Sequence, residues 1–166
     1  MKEQNLGFLL IYCFLIFVAV DGAAKIKKHE VVALWLFDDG SGKILKDSSG
    51  NGNDGKLIEG PTWDKGKFGK ALKFNSAKQQ RVKVENHDSL NLTDQISILA
   101  WAHLKRAVTQ GTWNALVGKN PYPSGYLMWL EVPAQPSGLV YSPARHDDRA
   151  NSQLELKKWY HLGFTR

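Results

Sequence analysis

Residues 47–55 read Asp47-Ser48-Ser49-Gly50-Asn51-Gly52-Asn53-Asp54-Gly55, and three chemistries compete for them. The last six, GNGNDG, match the G-x-G-x-x-G dinucleotide fingerprint to the letter. Read from its head, the stretch approaches an EF-hand calcium loop, with Asp47, Ser49 and Asn51 at ligand positions and Gly52 at the obligatory turn. The third reading is a glycine-rich turn between strands, and the flanks decide among them. A dinucleotide fold needs a helix opening directly out of the glycines, so that its N-terminal amides can hold a pyrophosphate. Only Lys56-Leu57-Ile58-Glu59 intervene before Gly60-Pro61, which leaves no room for one. An EF-hand needs a helix on each side and a bidentate Glu closing the loop. Ile58 stands there, with Glu59 one residue late, and both flanks read as strand. The stretch is a turn in a β chain.

Working outward, short runs rich in Val, Ile, Leu, Trp, Tyr and Phe are separated by Gly, Asn, Asp and Pro clusters, the spacing of an all-β sandwich or barrel. The run over residues 31–37, VVALWLF, is nearly all apolar and predicts a first strand buried on both faces. Further strands are expected at Ile44–Leu45, Lys56–Ile58, Ala71–Phe74, Arg81–Val84, Ile96–His103, Ala115–Gly118, Gly125–Val132, Gly138–Tyr141, Gln153–Leu156 and Trp159–Thr165. Alternation is clearest over residues 126–132, where Tyr126, Met128, Leu130 and Val132 share one face and Leu127, Trp129 and Glu131 the other. Asp38-Asp39 and Asp147-Asp148 read as turns. No repeat or low-complexity linker divides the chain, so one domain is expected over residues 25–166.

Residues 1–24 read as a secretory signal peptide. A charged start precedes the apolar run Leu6 to Val20, which is shorter than the roughly 20 residues that span a bilayer, and small residues follow it. This predicts a secreted, cell-surface or periplasmic location. The only cysteine, Cys13, lies inside that run, so the exported part has no disulfide and must draw its stability from burial or a metal. The formal charge is +6, and loss of residues 1–24 removes one base and two acids, so the excess persists. The lysines are dispersed singly among turns and apolar residues, a solvated face with at most a mild preference for anionic polymers, and a nucleic-acid partner is not expected.

The order of segments is itself informative. VALWLFDDGSGKILKDSSGNGNDGKL, then GKFGKALKFN, VKV, SLNLTDQISILAW, NALVGKN and WYHLGFTR together resemble a LamG-like jelly-roll domain of the concanavalin A-like superfamily, from about Val31 to the end. The resemblance implies a two-sheet antiparallel jelly-roll sandwich. In it Leu72 and Phe74 point to the core, Ile96, Ile98, Ala100 and Ala102 form one inward face with Trp101 packed on the other, and Trp159 and Leu162 lie on a strand crossing the core centre. Such domains carry further strands after W-x-H-L-x-x-T, so the sandwich is expected to be incomplete at its C-terminal end, a fragment of low stability by itself.

An active site is not expected. Retaining glycosidases need two carboxyls about 5 Å apart, and Glu131 and Glu155 stand alone in their segments. There is no G-x-S-x-G elbow, and His29, His87, His103, His146 and His161 show no metal-ligand spacing. His161 reads as a packed strand histidine. Calcium is the one cofactor the resemblance suggests, since lectin-like relatives hold it in rim loops with hard oxygen ligands. The loop over residues 119–125 has no carboxylate, which leaves Asp47, Asn51 and Asp54 as candidate ligands, against the alternative that Asp47 and Asn51 merely form Asx turns. For a carbohydrate, aromatic rings would stack on sugar C–H faces. Tyr122, Trp129, Tyr126 and Arg145 are the candidates, Tyr122 foremost in its Pro-bracketed loop, while Trp35, Trp63 and Trp101 read as packing residues. Asn91-Leu92-Thr93 is a glycosylation sequon. The expected function is a non-catalytic, exported recognition module for carbohydrate or a glycosylated surface. The rivals are a protein-binding adhesion module and the accessory domain of a larger exported hydrolase.

Overall fold

The computed structural model describes residues 26–92, 95–108, 114–119, 125–141 and 145–166; the segment expected to be a signal peptide lies outside them. Eleven strands run through these residues: β1 (Ile44–Leu45), β2 (Gly55–Ile58), β3 (Thr62–Lys65), β4 (Lys70–Lys73), β5 (Arg81–Val84), β6 (Ser97–His103), β7 (Asn114–Lys119), β8 (Gly125–Glu131), β9 (Gln135–Tyr141), β10 (Arg145–Arg149) and β11 (Trp159–Thr165). Every pairing is antiparallel. The sheets run β10-β9-β8-β7, β11-β6 and β1-β2-β5, with β3-β4 as a separate hairpin. The chain is all-β.

Two of these sheets face each other across the main core. Ile96 and Ile98 from the β6 segment and Leu162 and Phe164 from β11 pack with Tyr126, Met128 and Leu130 from β8, and Leu104, Ala134 and Leu154 close the sides. Alternation places them there, since period-2 side chains put Ile98, Ala100 and Ala102 inward and Leu99, Trp101 and His103 outward. Burying each large apolar side chain contributes about 1.5–3 kcal/mol. Strand β8 is buried on both faces, and its second face pairs Leu127 with Trp129. Close sheet approach requires glycine at position 138, where a Cβ would overlap the Phe164 ring.

Several expectations are corrected. Residues 31–37 form no strand: Leu34 is exposed and Leu36 is 51% exposed. In this run Val31 O, Val32 O and Leu34 N–H are held by the side chains of Asp47, Ser49, Asn51 and Asn53, and Leu34 O by the Ser48 N–H, in place of a strand ladder. Gln153–Leu156 is loop, with Leu154 alone turned into the core. Asp147 and Asp148 lie in β10, paired with Leu139 and Gly138. A charged strand at the rim of the sheet has no apolar alternation to announce it, and β3, with Trp63 as its one apolar residue, has none either. Phe74 follows β4 and is 48% exposed, not in the core.

Candidate functional site

The 47–55 segment is built as a hydrogen-bonded strut. Asp47 Oδ1 accepts the N–H groups of Leu34 and Ser49, each at 2.9 Å, and Oδ2 accepts the Ser49 hydroxyl at 2.8 Å and the Asn53 N–H at 2.9 Å. The Ser49 contact is an Asx turn. Asn51 sends its amide across to the carbonyls of Val31 and Val32, at 2.9 and 3.0 Å. Asn53, almost fully buried, donates to Val32 O at 3.0 Å and to Ser89 Oγ at 3.2 Å. Gly50 and Gly52 take φ of 93° and 76°, conformations that glycine adopts without a steric penalty. Burial pushes the Asp47 carboxyl up, but the donors from Leu34, Ser49 and Asn53 outweigh it and hold it below its ordinary value.

A calcium ion does not fit these residues as they are placed. Both Asp47 oxygens are saturated by protein donors, and Asp54 accepts the Lys46 ammonium at 2.8 Å and the Asp47 N–H at 2.8 Å. The Lys46 bond holds the Asp54 carboxyl below its ordinary value. Among these side chains Asn53 Oδ1 is buried without a partner, and a calcium ion needs at least six oxygens. Among the described residues no group of three His, Cys, Asp or Glu side chains is placed to hold a metal. What the strut does is tie residues 31–34 to the β1–β2 sheet.

The expected sugar-binding residues are not brought together. Tyr126 is a core residue and Trp129 is buried on the opposite face of β8, so neither ring offers a stacking surface. They do lie on opposite faces, as the alternation predicts, but both are packed. Arg145 opens β10 with its side chain outside what is described, and Tyr122 lies outside the described residues.

An aromatic surface exists elsewhere, on the outer face of the β6–β11 sheet. The register sets His161 opposite Trp101 and Trp159 opposite His103, and cross-strand neighbours on one face are within reach of each other. Trp101 and His161 stack, with centroids 5.0 Å apart and planes at 24°, while His103 and Trp159 lie at 5.1 Å and 47°. Trp101 is 44% exposed, which corrects its reading as a packing residue; Trp35 and Trp63 are half-buried, donating to Asn53 O and Gly42 O. His161 is exposed rather than packed away in the core.

The β3–β4 hairpin extends this surface. Its tip carries Phe68, 67% exposed, edge-on to Trp101 at 5.5 Å. Lys67 Nζ stands 5.7 Å from the Trp101 centroid and 6.0 Å from that of Phe68, within cation–π range. Toward the other end of the band, Leu99 faces Gly163, and Ser97 and Thr165 bring their hydroxyls to 3.3 Å. The face therefore grades from hydroxyls through an apolar step to stacked rings. The signal was present in the sequence as alternation: Ser97, Leu99, Trp101 and His103 are the odd residues of their strand, and Trp159 and His161 belong to the matching face of another. Which strands pair was not in the sequence.

Set against protein-family models, curated proteins and solved structures, the chain finds no match. The likeness to LamG-like domains rests on its sequence motifs.

Proposed function

We propose that this chain is a non-catalytic, exported recognition module, a LamG-like jelly roll that binds carbohydrate or a glycosylated surface. The observation that carries it is the exposed Trp101–His161 stack with Phe68 set edge-on beside it. Exposed rings held on a sheet present apolar surface that pyranose C–H groups cover, and hydroxyls on the same face orient the sugar. A sheet is a good support for such a platform because the cross-strand pair sets the ring positions without loop ordering. One observation favours a second reading: Leu99, exposed beside Trp101, adds aliphatic surface suited to a protein partner.

Glycan-array screening of the full chain, followed by titration of the best ligand, tests the proposal. Binding is expected, with Trp101→Ala lowering affinity at least about tenfold, the order expected for loss of a central aromatic contact. A folded chain that binds no glycan, or a ligand indifferent to Trp101→Ala and Phe68→Ala, would sink it. Repeating the titration in a chelator tests calcium, and unchanged affinity is expected from the saturated Asp47 and Asp54 carboxylates.

A further inference from the structure

A cavity of about 180 Å³ opens at the far end of the β3–β4 hairpin from the rings, lined by Thr62, Lys73, Phe74, Asn75, Lys78 and Gln80. It is smaller than the ~300–1,000 Å³ pockets that enclose a drug-sized molecule, so it has room for one ring. Thr62 and Lys73 face each other as the last register pair of the hairpin. Behind them the wall is tied rigidly. The Gln80 side-chain amide donates to Glu59 O at 2.9 Å and Gly60 O at 2.7 Å, and its Oε1 accepts the Asn75 N–H at 2.7 Å. Asn75 Oδ1 in turn accepts the Ala77 N–H at 3.1 Å.

Two bordering residues, Glu59 and Gln79, hold φ of 58° and 53°. Left-handed backbone in non-glycine residues persists only where the surroundings over-determine it, and it concentrates at ligand sites. The Gln80 amide is thus spent on the scaffold. The lining residues left for a ligand are the half-exposed Phe74 with Thr62, Lys73 and Lys78.

Those ammonium groups carry the charge argument. Among the described residues neither Lys73 nor Lys78 makes a salt bridge. The nearby carboxylate on the same hairpin, Asp64, is bonded by Lys105 at 2.9 Å and feels the charge of Lys73 only at longer range. Two cations without a salt-bridge partner at the mouth of a concave site focus a positive potential into it.

We propose that this cavity binds a single acidic sugar residue, a pyranose bearing a carboxylate or a sulfate, with Phe74 under the ring and Lys73 and Lys78 on the anionic group. The site is separate from the Trp101 platform and does not depend on it.

The test is a titration of the ¹⁵N-labelled full chain, followed by amide chemical shifts, with four probes: glucuronic acid, glucose 6-sulfate, glucose and inorganic sulfate. Saturable shifts over residues 73–80 are expected for one or both acidic sugars, which also identifies the anionic group, and glucose should bind at least about tenfold more weakly. The double variant Lys73→Gln/Lys78→Gln should lose that preference and Phe74→Ala should weaken both acidic sugars, while Trp101→Ala leaves these shifts unchanged. Failure of the platform reading would instead leave this site intact. Equal shifts from glucose, sulfate alone matching the acidic sugars with Phe74→Ala without effect, or shifts confined to other residues would each overturn the proposal.

Discussion

The ring of Phe164 on β11 lies against the bare Cα of Gly138 on β9, so closely that a Cβ at position 138 would overlap three of its ring atoms. This contact sets the spacing of the two sheets that enclose the core. Gly138→Ala is expected to cost about 1–3 kcal/mol through overpacking, read as a lower urea midpoint with an unchanged m-value. Pairing it with Phe164→Leu should recover part of the loss, because neighbouring residues couple; simple additivity would show that the close approach is not what the glycine provides.

Met128, at 1% exposure the most deeply buried large side chain of the core, lies centrally on β8. Met128→Ala should destabilise by about 2–5 kcal/mol, the transfer loss plus a cavity. Trp101→Ala, on the outer face, should cost far less, so that melting curves separate a binding ring from a packing one. A large stability loss at Trp101 would return it to the packing residues.

Asp47 predicts acid behaviour. Its folded carboxyl lies below the ordinary value of 3.8, so below that value the unfolded chain takes up the proton more readily. Its contribution is complete above about 3.8 and is lost as pH falls through the depressed folded value. Asp54, Asp64 and Glu85 are lowered too, by bonds from Lys46, Lys105 and Lys83, and add to the same slope. Asp47→Asn should cost about 1–3 kcal/mol at neutral pH, since donors lose a charged acceptor, and should flatten stability against pH below 4. An unaltered acid limb would mean the strut does not couple to folding.

The tip of the β3–β4 hairpin links stability to recognition. A Cβ on Gly66 would overlap the Lys70 carbonyl and approach Phe68 O, backbone that cannot swing away as a side chain can. Gly66→Ala should displace Phe68 from Trp101 and weaken glycan binding while the β6–β11 pairing survives. Loss of Phe68–Trp101 cross-peaks with intact β6–β11 amide contacts is the expected NMR result, and retained cross-peaks would contradict it.

Local patterning made much of the fold legible. The strands over 81–84 and 159–165 were read to the residue, and the two faces of β8 followed from alternation alone, because period-2 burial is written into adjacent side chains. The turn at 47–55 was also readable, since a GNGNDG segment too near the next Gly-Pro cannot open a helix. Failures came where local character and tertiary partner disagree. VVALWLF looks like a core strand by composition, yet the carbonyls of Val31 and Val32 are claimed by Asn51 and Asn53, side chains some twenty residues away. Asp147-Asp148 looks like a turn, yet the strand that holds it completes a sheet through backbone bonds that need no apolar side chain.

The sequence by itself determined that the chain is β throughout, that Asp47 belongs to a turn, and which side of each strand is apolar, because these depend on neighbours in the chain. Only the tertiary structure decided that Trp101 meets His161 and Phe68 in the open while Tyr126 and Trp129 are buried. That choice depends on which strand lies beside β6 and what covers β8, and such long-range pairings leave no mark on the spacing of the residues that make them.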